Sequence, residues 1–455
     1  MLSIVDIRER KEEVIEMLKK RYLEELIPNV EEVERLDREW REVLKELNVL
    51  RAERNKISKE IGRLYKEGKR EEAEELKKRA KELDTEIEEL EKREAELKRL
   101  IDENLKYLPN FLHPEVIIGP DDSYNKPIKF WGRPRVWRKH LAQFKEETDG
   151  HEVEHEVIDW EPPHHYDLIE MLDVADTERA GKTSGSRFYY EKKALVFLDL
   201  ALARWALEEL MKKGFEPIIP PYMMRRRVEE AATYFTDFED VIYKVEGEDL
   251  YLIPTAEHAL LGYHMDEIFE VGELPKRYAG WSPCFRKEAG SHGKDTKGIF
   301  RVHQFHKVEQ FSYVYPEDSW KEFEFLQSNA EELLQKLEIP YRVVEISSGD
   351  LGMVAARKHD IEAWYPGQGR YREVVSCSNC LAWQARRANI RYRRKDGKTD
   401  YVHTLNSTAL AAQRVMLAIL ENHYDPENEI VRIPKVLHPY MPKEFWEIPV
   451  VKKTK

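Results

Sequence analysis

Residues 281–311 read WSPCFRKEAGSHGKDTKGIFRVHQFHKVEQF, two strand-like runs on either side of a loop that holds Gly290, Gly293 and Gly298. In an extended chain alternate side chains share a face. Arg286 and Glu288 therefore face together on the first run, and Arg301, His303, Phe305, Lys307 and Glu309 on the second. A face of Arg, His, Phe, Lys and Glu is poor core material. Beside Arg286 and Glu288 it reads as the polar floor of a binding site rather than as a solvated surface. The chemistry suits a nucleotide, because an arginine grips a phosphate through two parallel hydrogen bonds and an aromatic ring stacks on a base. A loop with three glycines also lets the backbone approach phosphates closely. With helical stretches at 192–213 and 319–337 and frequent Pro and Gly, the hairpin-like pairing predicts an α+β fold. It is a mostly antiparallel sheet flanked by helices, not a doubly wound one.

Two further stretches carry polar groups in suggestive places. In 252–258, LIPTAEH, Thr255 and Glu257 are two apart and read as one face. In 403–424, HTLNSTALAAQRVMLAILENHY, the residues Asn406, Ser407 and Thr408 read as a helix start before an apolar helix. Arg414 falls among Leu410, Ala411, Leu417 and Ala418 at helical spacing. A buried arginine needs an anion, either a protein carboxylate or a bound phosphate.

Upstream the pattern changes period. Val33, Leu36, Trp40, Val43, Leu47, Leu50, Ile57, Ile61 and Leu64 step by threes and fours, interrupted at Arg54. Ala73, Leu76, Ala80, Leu83, Ile87, Leu90, Leu97 and Ile101 repeat the pattern, interrupted at Glu94. This is the seam of an antiparallel helical hairpin about 50 Å long, with Gly68 at its turn. Its tip carries Arg51, Lys56, Lys59, Arg63, Lys66, Lys69, Arg70, Lys77, Lys78 and Arg79. Glu is interleaved throughout, so the tip reads as a salt-bridged face or as a lever toward RNA phosphates. The expected organisation is an N-terminal domain over 1–110, a linker with irregular strands over 111–165, and a main domain over 166–455.

The 455 residues suffice for two domains, and 36% of them are charged, with a net charge of -13. That balance argues against an indiscriminate nucleic-acid binder while leaving room for a local basic surface. Three cysteines give no disulfide framework. No signal peptide or long apolar stretch is evident, so a soluble, cytoplasmic protein is expected.

The FRxEAG…DTKG…RVHQFxKVE pattern closely resembles motif 2 of seryl-tRNA synthetases, a class II family, of the ordinary type without a serine-site zinc. Residues 403–424 resemble class II motif 3. Residues 214–225, GFEPIIPPYMMR, resemble motif 1, with Pro221 at the family's dimer interface. Segments 113–123 and 184–190 also look like the family, so the resemblance spans the chain. It implies ATP-dependent activation of serine and its transfer to tRNA(Ser), and also loading of tRNA(Sec). Arg286 and Arg414 become the catalytic pair. Arg286, Glu288, Val302, Phe305, Glu373, Val374, Val375, Ser376 and Arg414 would meet ATP. Thr255, Glu257, Arg286, Glu309, Asn406 and Thr408 would meet serine. Glu373 and Ser376 would hold the Mg²⁺ that accompanies ATP, their hard oxygens suiting that ion. They are three apart, so strict alternation would oppose them and a bulge or strand end is required. The hairpin would reach the tRNA's long variable arm across a homodimer.

Other patterns are decoys on this reading. His151 to His155 spells HExxH, but amid acids and near Pro162-Pro163, and no zinc is expected. Cys377 and Cys380 spell CxxC without a second pair. Alternatives are a synthetase-like ligase acting on a carrier protein, a non-catalytic paralogue, or a structural coiled-coil protein. The full hairpin, the retained polar residues and the motif region weigh against these in turn.

Overall fold

The computed structural model describes residues 1–234, 241–288, 295, 297–451, and the chain divides into two compact units, Met1–Pro109 and Asn110–Lys455. Gly290 and Gly293 of the glycine-rich loop lie outside the described residues.

The first unit is helical. Helix α1 (Ile4–Lys20) starts at a reciprocal cap: the Ser3 hydroxyl accepts from the Asp6 amide at 3.2 Å while the Ser3 amide donates to the Asp6 carboxylate at 2.7 Å. Helices α2 (Ile27–Lys66) and α3 (Arg70–Leu105) form the expected hairpin, each roughly 55–60 Å long at 1.5 Å per residue. At the turn Gly68 takes φ +79°. The Lys69 amide reaches the Leu64 carbonyl at 3.0 Å and the Gly68 amide the Tyr65 carbonyl at 3.3 Å, a helix end that a side chain at position 68 would strain. Val33, Leu36, Leu47 and Leu64 are buried against a seam of Ala73, Ala80, Leu83, Leu97 and Ile101. Both interruptions are answered across the hairpin: Arg54 pairs with Asp84 at 2.7 Å, and the Trp40 indole donates to Glu94 at 2.8 Å.

The second unit is built on eight strands. They are β1 (Lys126–Trp131), β2 (Glu216–Ile218), β3 (Lys276–Phe285), β4 (Gln304–Val314), β5 (Tyr341–Glu345), β6 (Arg357–Tyr365), β7 (Arg370–Asn379) and β8 (His403–Ala411). Their order is β1-β5-β6-β7-β8-β4-β3-β2. Every neighbouring pair is antiparallel except β3 with the short edge strand β2. Helices α4 (Ala194–Met211), α5 (Arg226–Ala232), α6 (Ala256–Tyr263), α7 (Ser319–Lys336) and α8 (Ala412–Asn422) surround the sheet. The α+β expectation holds. Leu198 and Leu202 of α4, Leu326 and Leu333 of α7, and Val415 and Leu417 of α8 join sheet residues in the main core. A smaller core beneath α6 gathers Ala256, Leu260, Tyr278, Phe311 and Tyr313. The stretch expected as a linker belongs to this unit and supplies β1, which pairs with β5.

Three local expectations differ from the structure. Arg286 and Glu288 lie beyond the end of β3 at Phe285, and Glu288 has φ +52°, outside extended geometry. Thr255 caps α6 and Glu257 lies in its first turn, so they are helix-start residues rather than strand neighbours. Asn406, Ser407 and Thr408 lie inside β8, and the helix begins at Ala412. Ser, Thr and Asn favour caps by local hydrogen bonding, but here pairing with β4 on one side and β7 on the other overrides that tendency.

Candidate active site

Two bulges shape the site. In the β6–β7 ladder Ile361 pairs with Val375 and the next residue, Glu362, pairs with Glu373, so Val374 is surplus. A surplus residue turns the side chains on one side of it to the other face. Glu373 and Ser376, three apart, thereby face one cavity. A second bulge, in the β4–β8 ladder, leaves Ala409 surplus between Thr408 opposite Glu309 and Leu410 opposite Val308.

The cavity has a volume near 390 Å³, within the usual range for a small ligand. Of the residues expected from sequence, Thr255, Glu257, Arg286, Glu288, Val302, Phe305, Glu309, Glu373, Val374, Ser376, Asn406, Thr408 and Arg414 all line it. Val375 does not: it is buried in the main core, opposite Ile361, so its side chain cannot meet a ligand here. His303 also turns away. Its ring nitrogen Nδ1 lies 2.8 Å from the Arg286 carbonyl, tying the ends of the two runs together.

One end of the cavity is cationic and aromatic. The Arg286 guanidinium lies 5.3 Å from the centre of the Phe305 ring and donates to the Pro254 carbonyl at 3.1 Å. Arg414 donates to the Glu373 carbonyl at 2.8 Å, has its carboxylate at 3.4 Å, and stands 4.9 Å from the Phe300 ring centre. It is partly buried rather than sealed in, and it lines the cavity. Burial pushes the Glu373 carboxyl upward, but Arg414, Lys358 and Arg286 together hold it below its ordinary value. Arg301 pairs with Glu288 at 2.9 Å.

The other end is smaller and rich in hydrogen-bonding groups. Glu257 accepts from Gln384 at 2.8 Å and from Asn406 at 3.1 Å, which fixes its carboxylate. Glu309 is buried and paired with Lys307. Burial, helped by Glu257, raises its carboxyl above the ordinary value against the pull of Lys307 and Arg286. Thr408 sits directly across the ladder from Glu309. Hydrogen-bonding side chains of Thr255, Glu257, Glu309, Asn406 and Thr408 thus line this end together.

Sequence reasoning gave no role to several lining residues: His258, Gln413, Cys380 and the segment 351–355. The segment is set in place by Gly349, where any Cβ would come within 2.1 Å of the Pro120 carbonyl oxygen. Paired bonds from Ser348 to Ile117 and Gly349 to Gly119, each 2.8 Å, buttress it with the 113–123 stretch. No local pattern announces such a contact across more than two hundred residues. The decoys are placed too. His151 to His155 lie in an irregular segment and not on a helix. Cys284, Cys377 and Cys380 are free and buried. Among the described residues no group of three His, Cys, Asp or Glu is arranged to hold a metal, and no helix is long and apolar enough to cross a membrane.

Comparison with known proteins spans both units of the chain. The model of the tRNA synthetase class II core domain (G, H, P, S and T) matches residues 240–423, and that of the seryl-tRNA synthetase N-terminal domain matches residues 1–112. A serine--tRNA ligase of Pyrococcus abyssi is 60% identical over 455 residues, covering 100% of this chain and 99% of that protein. The crystal structure of seryl-tRNA synthetase from Pyrococcus horikoshii complexed with ATP superposes with a TM-score of 0.93 at 58% identity, covering 99% of this chain and 100% of that one. The cytoplasmic serine-tRNA ligase of Naegleria fowleri in complex with AMP gives a TM-score of 0.84 at 34% identity over 99% of both chains.

Proposed function

This chain belongs to the seryl-tRNA synthetase family, and from that premise we propose that it activates L-serine with ATP and transfers it to the 3′ end of tRNA(Ser). The observation that carries the reading is the two-ended cavity. Arginines and an aromatic ring stand at one end, and Glu257, Glu309, Asn406 and Thr408 at the other. In the first step the serine carboxylate attacks the α-phosphate of ATP, giving seryl-adenylate and pyrophosphate. Arg286 gathers the carboxylate and α-phosphate and offsets the charge that grows between them, while Arg414 holds the γ-phosphate. Phe305 supports the adenine and Glu288 meets its edge. In the second step the terminal ribose hydroxyl of the tRNA attacks the acyl carbonyl, and AMP leaves. No protein nucleophile is required.

Glu373 and Ser376 suit the Mg²⁺ that travels with ATP. Two protein oxygens on one cavity wall are what an ion bound chiefly by phosphates and water needs. When bound, it would neutralise phosphate charge. Selectivity belongs to the same reading: alanine would leave the groups facing the hydroxyl unpaired, and threonine, which keeps the hydroxyl, would be excluded by its added methyl.

The first unit is proposed to bind the long variable arm of the tRNA. Among the described residues Lys56, Lys59, Lys66, Arg70 and Lys78 have no carboxylate within 4.0 Å, unlike Arg51, Arg63, Lys77 and Arg79. A homodimer is proposed through the motif 1 region. There the edge strand β2 continues into exposed Ile219, Tyr222 and Met223, and Pro221 lies between them. Loading of tRNA(Sec) and a cytoplasmic location belong to the same reading.

Serine-dependent exchange of pyrophosphate into ATP, measured with all twenty amino acids and followed by tRNA charging, tests it. Exchange with serine alone and then charging is expected. Exchange without charging would favour a ligase that loads a carrier protein, and no exchange with folded protein and Mg²⁺ would overturn the reading.

A further inference from the structure

His258 is the histidine among the cavity-lining residues, and it does not stand alone. Its Nδ1 lies 2.5 Å from the Glu229 carboxylate. The two come from different helices, His258 from α6 and Glu229 from α5, and both are buried. The second oxygen of Glu229, Oε1, is buried and finds no hydrogen-bond donor. A carboxylate so enclosed needs a positive partner, and His258 is placed to be it.

What the pair joins gives it a purpose. Helix α5 ends at Ala232, and Ala232, Thr233 and Tyr234 form one wall of the cavity. Helix α6 begins at Ala256, and its cap Thr255 and first-turn Glu257 form the adjoining wall at the small end. The helices approach so closely that a Cβ on Gly262 would meet Val228 at 2.8 Å. Gln384 ties the same two walls independently, donating to the Ala232 carbonyl at 3.0 Å and to Glu257 at 2.8 Å. The two walls are therefore tied twice, by the His258–Glu229 pair and by the Gln384 amide.

We propose that His258, braced by Glu229, is a positioning residue that sets the width of the amino-acid end by fixing α6 against α5. The inference rests on the serine-activating reading above. Its effect is expected on the amino acid rather than the nucleotide, because the residues proposed for the nucleotide lie on or beside β3, β4, β7 and α8 and not on α5 or α6.

The test uses the full-length protein and steady-state pyrophosphate exchange. His258→Ala is expected to raise the serine KM tenfold or more, with the ATP KM changed less than twofold and kcat less than threefold. His258→Gln can still offer an amide N–H to Glu229 but no charge, and is expected to recover part of the loss, its serine KM lying between the parent's and the alanine variant's. Glu229→Gln, which removes the charge and keeps an acceptor, should fall between them and provides the comparison if the alanine variant does not fold. Serine and ATP KM rising together, an unchanged serine KM, or a glutamine variant no better than alanine would each overturn the inference. A parent protein that fails to exchange with serine would instead sink the functional reading, so the two failures are distinct.

Discussion

Arg54 interrupts an apolar helical seam and Arg286 lines a polar cavity, and the units around them treat that charge differently. Arg54 lies on a thin two-helix seam, a third exposed, with Asp84 across from it and water around both. Arg286 lines the cavity, with a backbone carbonyl at 3.1 Å, the face of Phe305 at 5.3 Å and, among the described residues, no carboxylate within 4.0 Å. A surface pair such as the first is screened and contributes little. A cation held in a cleft with spare donors is ready for an anion the protein does not itself supply. The difference teaches that the informative charge is the one whose surroundings leave it unfinished.

The sharpest attack on this contrast is Arg286→Ala, expected to cut serine-dependent exchange by about 10³-fold with an unchanged melting curve. A loss below tenfold would place Arg286 with Arg54 as a structural charge. Thr408→Ala should raise the serine KM roughly 30-fold and leave the ATP KM nearly alone; equal effects on both would deny a contact with the side chain. Converting Lys56, Lys59, Lys66, Arg70 and Lys78 together to Gln should raise the tRNA KM about tenfold and flatten its salt dependence, leaving exchange untouched. If charging is indifferent, the tip is merely solvated. Leu83→Ala, a cavity in the buried seam, should cost the hairpin about 2–4 kcal/mol by denaturant melting without changing exchange. The smallest effect belongs to replacing Arg54 by Met and Asp84 by Leu together, with a melting shift within about 2 °C. A larger drop would mean that the hairpin depends on its exposed pairs after all.

The hairpin could be read from sequence because its physics is one-dimensional: Val33 to Leu64 and Ala73 to Ile101 repeat with a single period. The sheet class was legible in the polar alternation of Phe305, Lys307 and Glu309, which does line the cavity. The spacing of Glu373 and Ser376 even demanded a local irregularity, and Val374 supplies it. Elsewhere local signals misled. Asn406 to Thr408 resemble a helix cap but lie inside a strand flanked by two others. Other parts left no signal at all. Glu229 and His258 are 29 residues apart, and Gln384 reaches Glu257 from 127 away. Such contacts exist only once the chain has folded.

The surplus residue in β7 has an arithmetic consequence. Beyond it the cavity-facing positions are even-numbered, Ser376, Ser378 and Cys380, whereas Glu373 before it is odd. β8 changes parity in the same way, from Asn406 and Thr408 to Ala411 across Ala409. A deletion within β7 on the Arg370 side of Glu373 would slide its neighbours and leave this parity switch intact. Loss of Val374 alone would erase it, moving one of the two oxygens proposed for Mg²⁺ to the far side of the sheet while Glu373 and Ser376 both remained in the sequence.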